Sequence, residues 1–249
     1  MSVATIYSRA QSGLNAPLVS VEVYLSSGLP RYSIVGLPET AVKESKDRVR
    51  AALLNSDYTF PSRRITVNLA PAELPKQGGR FDLPIALGLL VASRQLNADA
   101  VEGYEFLGEL GLNGTLHKTI GILPAAYACH TQGAVLMTST ENEDDLFPIH
   151  HAKYHCASHL LEVCAHLNKI KPLIKKPNPE SAPPRVTHLS MNDVRGQSRA
   201  KRALTIAAAG QHHVLMVGSP GSGKTMLAHR FPDLLGPMSE QEMMETCSV

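Results

Sequence analysis

The octapeptide Gly218-Ser219-Pro220-Gly221-Ser222-Gly223-Lys224-Thr225 has residue types and spacing suited to holding phosphate. It satisfies G-x-x-x-x-G-K-S/T in full. Glycines let such a loop curl until successive backbone N–H groups point inward and cradle phosphate oxygens. A helix beginning directly after the loop adds the positive end of its dipole. Lys224 would carry a full charge to the β- and γ-phosphates, and the Thr225 hydroxyl would ligate the accompanying Mg²⁺. The apolar run His213-Val214-Leu215-Met216-Val217 before the loop predicts a short buried strand, and Met226-Leu227-Ala228 after it predicts a helix. The expected ligand is therefore ATP or ADP with Mg²⁺, bound from Gly218 to Met226.

Hydrolysis asks for more. A carboxylate must hold Mg²⁺ and orient water, usually from a later strand, and a cation must stabilise the transition state. No apolar run ending in paired acids follows Lys224. The chain by itself is expected to bind nucleotide and to hydrolyse it poorly or not at all, Lys224 and Thr225 being its only catalytic contributors.

Three other groups could carry chemistry. His150, His151, His155, Cys156, His159, Cys164 and His166 cluster in sequence, and one helical face could present His155 and His159 together. Without a C-x-x-C or H-E-x-x-H pattern, histidines at a helix start are the plainer reading. Lys43, Lys46, Arg48, Arg50, Arg63, Arg64, Lys76 and Arg80 could line a path for a DNA strand. Glu39, Glu44 and Asp47 lie among them, so a solvated helix face explains them equally well. Stacking of bases on aromatic rings is not indicated, because Trp is absent and Phe and Tyr are scattered. Glu73 and Glu109 are structural in this reading.

The elements that must position these residues follow from periodicity. Val19, Val21, Val23 and Leu25 alternate as in a half-buried strand, and Ser33-Ile34-Val35 and Arg64–Leu69 read as further strands. After Pro38, Val42, Ser45, Val49, Ala52 and Leu53 fall on one face of a helix. A helix from Asp82, as N-cap, to about Arg94 is apolar all round and belongs inside a core. Ala134–Met137 predicts a buried strand, Ala157–Leu167 a helix and Ser198–Ala209 another. Alternation of this kind indicates an α/β fold. Lys171–Arg185 holds five prolines and reads as a semi-rigid linker. A helix opening at Met238–Glu242 runs to Val249, which suggests a fragment of a longer protein.

Composition sets the outer limits. With 43% hydrophobic and 18% charged residues, the chain can bury a sizeable core. A formal net charge of +2 neither requires nor excludes a nucleic-acid partner. The four cysteines form no framework and read as cytosolic thiols. The first residues lack a signal-peptide pattern, and the longest apolar stretch, Leu83–Ala92, is too short to span a bilayer. A soluble cytoplasmic protein is expected, with no membrane partner.

Against this background the chain resembles the Mg-chelatase-like AAA+ ATPases of the ComM/YifB type, essentially over all 249 residues. The resemblance is carried by IVGLPETAVKESKDRVRAAL (Ile34–Leu53), RRITVNLAPAELPKQGGRFDLPIALG (Arg63–Gly88), GELGLNGTL (Gly108–Leu116), DVRGQ (Asp193–Gln197) and the P-loop. It implies a Lon-protease-like α/β domain over residues 1–170, the linker 171–185, and the start of an AAA+ P-loop domain over 186–249. It also implies Val194 and Gly196 as positions beside the adenine. The motif of the Lon nucleophile maps onto Pro75-Lys76-Gln77-Gly78 and Asp82–Ala86, with Asp82 at the serine position and Leu123 or its neighbours at the lysine position. A Ser–Lys mechanism needs both groups, so protease activity is not expected. The front domain instead resembles the platform domain of RadA-type recombination helicases. For the whole protein the resemblance implies a hexameric, ATP-driven DNA helicase that promotes branch migration in natural transformation. The rival readings are an ATPase subunit for metal insertion into a porphyrin and a nucleotide-gated adaptor that remodels protein partners.

Overall fold

The computed structural model describes residues 2–146, 149, 152–173, 189–236 and 238–247. They form two compact units: residues up to 173 together with 240–247, and those from 189 to 239. Residues 174–188, which include most of the expected linker, lie outside the described residues, as do His150 and His151.

In the first unit the chain runs β1 (Ser2–Arg9), β2 (Leu18–Ser26), β3 (Arg31–Val35), α1 (Thr40–Asn55), β4 (Arg64–Ala70) and α2 (Asp82–Ala92). There follow β5 (Tyr104–Phe106), β6 (Glu109–Leu110), β7 (Leu116–His117), α3 (Ile122–Thr131), β8 (Val135–Ser139), β9 (Tyr154–Ala157) and α4 (Leu160–Leu167). Seven strands form one sheet in the order β3-β4-β2-β1-β5-β8-β9, and β6 pairs with β7 alone. Only β1–β2 and β2–β4 are antiparallel in the large sheet; its other four pairings are parallel. The fold is mixed α/β, as the alternation of patterns predicted.

One face of this sheet explains the core. Register places Val21 opposite Ile6 and Leu69, and Val23 opposite Ala4 and Val67. All of these are buried. The apolar α2 lies against them, with no residue from Asp82 to Leu90 exposed. A Cβ at Gly88 would come 2.5 Å from Val23 Cγ2, so glycine is what lets helix and sheet approach here. The predicted face of α1 is also the buried one: Val42, Ser45, Val49, Ala52 and Leu53. Each fully buried Val or Leu contributes about 1.5–3 kcal/mol.

Three local expectations are corrected. Asp82 is not the N-cap of α2; Phe81 occupies that position, and the Asp82 carboxylate turns to Arg48. Ala157 ends a strand rather than opening a helix. Leu136 to Ser139 offer Tyr154 to Ala157 a parallel ladder, and α4 starts only at Leu160. His213–Val217 forms no strand, and Leu215 and Val217 are 88% and 87% exposed. A strand needs a ladder partner, and no described strand lies in the second unit. That unit contains α5 (Ser198–Ala209) and α6 (Lys224–Arg230), around a small cluster of Met191, Val194, Leu204 and Leu227. The last helix, α7 (Glu240–Cys247), groups with the first unit.

Candidate functional site

The phosphate-loop candidate is built from a bend, two left-handed glycines and a helix start. Gly221 and Gly223 have φ of 78° and 84°, a region that L side chains adopt with strain. Gly223 is the residue from which α6 springs, so Lys224 and Thr225 occupy its first turn. Backbone N–H groups in a first turn lack intrahelical partners and are free to bind an anion. Lys224 Nζ donates to the carbonyls of Gly218 and Ser219, both at 2.8 Å, and lies 3.2 Å from Ser222 Oγ. The ammonium is thus tied across the loop by groups of the loop itself. A Cβ added at Gly218 would stand 3.2 Å from Ser222 Oγ, tight enough to press on it. Thr225 and Met226 are exposed, so the threonine hydroxyl is open to a cation. These features fit a phosphate ligand with Mg²⁺: glycine where a side chain would crowd or strain the loop, one cation bound to the loop, and an accessible hydroxyl.

A second motif touches the loop. Gln197, left-handed at φ 53° and N-cap of α5, donates its side-chain amide to Ser222 O at 3.3 Å. Gln197 belongs to the same Asp193–Gln197 segment as Val194 and Gly196, the two positions expected beside the base. Val194 is 3% exposed and packs with Met191, Leu204 and Leu227, while Gly196 is exposed with φ 69°. The segment is braced by a capping box between Ser190 and Asp193. Asp233 Oδ2 accepts from Met191 N at 3.0 Å and Ser190 Oγ at 2.9 Å, bonds that hold its carboxyl below the usual carboxylate range.

In the first unit, Asp82 is fully buried beside Arg48, whose Nε and Nη2 donate to its two oxygens. Leu110 N donates to Asp82 Oδ2 at 3.2 Å. Burial pushes the carboxyl up to about 6, with Arg48 opposing that rise. Leu123 is 6% exposed, in the apolar cluster that includes Ile122, Ala126 and Leu136. Glu109 packs against the Gly79 backbone, where a Cβ would meet its carboxylate at 2.4 Å, whereas Glu73 is exposed.

The histidine cluster comes together only in part: the rings of His155 and His166 lie 4.5 Å apart, both beside Tyr104. His155 is in β9 and His159 is the N-cap of α4, its Nδ1 accepting from Leu161 N at 3.1 Å, so no helical face carries both. His166 Nε2 sits 3.1 Å from Tyr104 Oη, and burial lowers its pKa. Among the described residues no group of three or more His, Cys, Asp or Glu could hold a metal ion.

The cationic set divides as well. Arg48 is committed to Asp82. Lys76 is buried with Nζ donating to Pro71 O, and burial lowers its pKa. Arg80 is buried, donating Nη2 to Ile120 O at 2.6 Å and Gln11 Oε1 at 2.8 Å. Lys46, Arg50 and Arg63 remain at the surface and line one pocket with Arg31. The Phe60 ring lines it too, stacked at 6.4 Å on Tyr32 and 5.6 Å from Arg50 Cζ.

Fold and loop together describe a mixed α/β chain with a P-loop motif at a helix start. Residues 21–142 match the family described as subunit ChlI of Mg-chelatase, and residues 190–249 match magnesium chelatase, subunit ChlI. The whole chain aligns with competence protein ComM of Haemophilus influenzae at 48% identity over 253 residues, 50% of that protein. It aligns equally fully with an uncharacterized protein of Escherichia coli, YifB, at 45% identity over 249 residues, 49% of that protein. A Mycobacterium tuberculosis protein is 35% identical over 255 residues, again covering all of this chain and half of that protein. The chain belongs to the Mg-chelatase-like ChlI/ComM family, and it spans about half the length of the curated relatives it matches. Among the described residues no helix is long and apolar enough to cross a membrane.

Proposed function

We propose that the protein to which this chain belongs is an ATP-driven AAA+ motor acting on DNA in recombination, with Gly218–Thr225 as its nucleotide site. The observation that carries the reading is Lys224, whose ammonium bridges two carbonyls of a loop bent through left-handed Gly221 and Gly223. In ATP-bound protein, Lys224 and the first-turn amides of α6 would hold the phosphates, Thr225 would ligate Mg²⁺, and Val194 and Gly196 would flank the base. The nucleotide supplies the driving free energy; these residues bind and orient it. A DNA role draws its support from the relative named for competence. Branch migration by a hexameric ring is the specific form we propose.

Steady-state ATP hydrolysis by the full-length protein, with and without single-stranded and branched DNA, tests this reading, with Lys224→Ala as control. Stimulation by DNA that vanishes in the control is expected. Hydrolysis indifferent to DNA would favour a metal-inserting ATPase subunit, in keeping with the Mg-chelatase named in the matching family descriptions, or a protein-remodelling adaptor.

A further inference from the structure

The loop between α1 and β4 separates two adjoining pockets of the first unit, of about 400 and 460 Å³, which share Pro61 and Arg63. Arg31, Lys46 and Arg50 line the first and Arg94 the second, so with Arg63 five cations line two pockets that meet at Pro61 and Arg63. Among the described residues no acidic side chain lines either pocket. None of the five makes an ion pair with a described residue. Arg64 adds to the excess, standing in direct register with Arg31 across β3 and β4. Gathered like charges repel, and a bound anion would relieve that repulsion.

The depression is also fixed in shape. Gln95, just beyond α2, accepts from Thr59 N and donates to Thr59 O, both at 2.8 Å. Tyr58 N donates to Leu53 O at 3.0 Å, which ties the loop to the end of α1. Phe60, stacked on Tyr32 and beside the Arg50 guanidinium, puts an aromatic ring among the cations. Charges spread along an open groove suit a polyanion better than a compact phosphate. An aromatic ring beside them suits a polyanion whose bases are unstacked and accessible, which a duplex does not offer.

We propose that this groove binds single-stranded nucleic acid, with phosphates running along Arg31, Lys46, Arg50, Arg63 and Arg94 and a base seated at Phe60. The proposal gives a location to the DNA part of the reading above and is independent of the P-loop.

The test is fluorescence anisotropy of a labelled oligo-dT of about 20 nucleotides with the whole chain, titrated at several salt concentrations. Arg31→Ala/Arg63→Ala is expected to weaken binding at least tenfold and to flatten the log–log salt slope by about 1.4, the value for two lost phosphate contacts on a single strand. Phe60→Leu is expected to weaken binding about fivefold or more without altering the slope. Circular dichroism and binding of a fluorescent ADP are measured on the same samples. If oligo-dT binding falls while ADP binding and circular dichroism stay, the groove is confirmed. Oligo-dT affinity untouched by the double substitution overturns the proposal. So does equal affinity for a duplex, or tighter binding of polyglutamate with no effect of Phe60→Leu, which would mark an acidic polypeptide as the occupant.

Discussion

Arg48 donates from Nε and Nη2 to the two carboxylate oxygens of Asp82, at 2.7 and 3.1 Å, and so forks α1 onto the buried start of α2. The same Nη2 donates to Ala41 O at 3.0 Å, which fixes the guanidinium within its own helix. Asp82 has no solvent to fall back on, whereas Arg48 is about one-fifth exposed. The pair therefore depends asymmetrically on its two members.

Removing the arginine should be the costly change. Arg48→Ala leaves a buried carboxylate without its cation and is expected to destabilise the first unit by about 3–5 kcal/mol. Arg48→Lys should recover only part of this loss, because an ammonium cannot reproduce the fork. Urea unfolding followed by circular dichroism measures both; an Arg48→Ala midpoint equal to that of the parent would contradict the assigned role.

The pair also predicts a pH dependence with a definite sign. Burial lifts the Asp82 carboxyl from its ordinary 3.8 to about 6. Between those values the folded chain keeps a proton that the unfolded chain releases, so stability falls as pH rises through the window. The contribution is full below pH 3.8 and gone above about 6. The parent should thus lose stability relative to Asp82→Asn between about pH 4 and 6, and the difference should then level off. Unfolding free energies at pH 4.5, 5.5 and 7 (about two points inside the window and one above it) give the answer; a difference that grows in the parent's favour would refute the burial-driven shift.

A second buried pair secures the middle of the sheet. Arg9 Nε and Nη2 meet Glu105 at 2.5 and 2.8 Å, and the guanidinium also donates to Ala16 O and Gln132 Oε1. It links β1, β5, the β1–β2 connection and the end of α3. Glu105→Ala should strand a buried guanidinium at a cost of about 3–5 kcal/mol. Replacing both members, Arg9→Met with Glu105→Leu, should cost less than Glu105→Ala alone, measured by the same unfolding experiment.

Much of this was legible in the residues. The alternation in β2, the five-residue face of α1 and the unbroken apolar α2 became core because each carries its burial in its own period. The failures share a cause: the deciding partner is remote. Asp82 has the chemistry of a cap, but Arg48, 34 residues earlier, claims its carboxylate. Tyr154–Ala157 is helix-compatible until β8 supplies a ladder. His213–Val217 has the composition of a buried strand without a described neighbour to pair with. The Gly218–Thr225 motif can be read from the sequence because it is contiguous. The cationic groove was only half legible: its lysine and two of its arginines stood in the basic set, but Arg31, Arg94 and Phe60 join them only through the β3–β4 register and the end of α2. Scattered aromatics in sequence proved adjacent in space. The role of Gln197 is not legible in sequence, because only geometry brings its amide to Ser222.

Gly218–Thr225 is expected to hold a nucleotide through Lys224. Equilibrium titration of this chain with a fluorescent ADP analogue and Mg²⁺, parent against Lys224→Ala, tests it most directly. The expected result is saturable binding by the parent and a loss of at least tenfold in affinity for the variant (~1.4 kcal/mol or more), with circular dichroism unchanged. Equal affinity in the two proteins, or no binding by a folded parent, would contradict the claim.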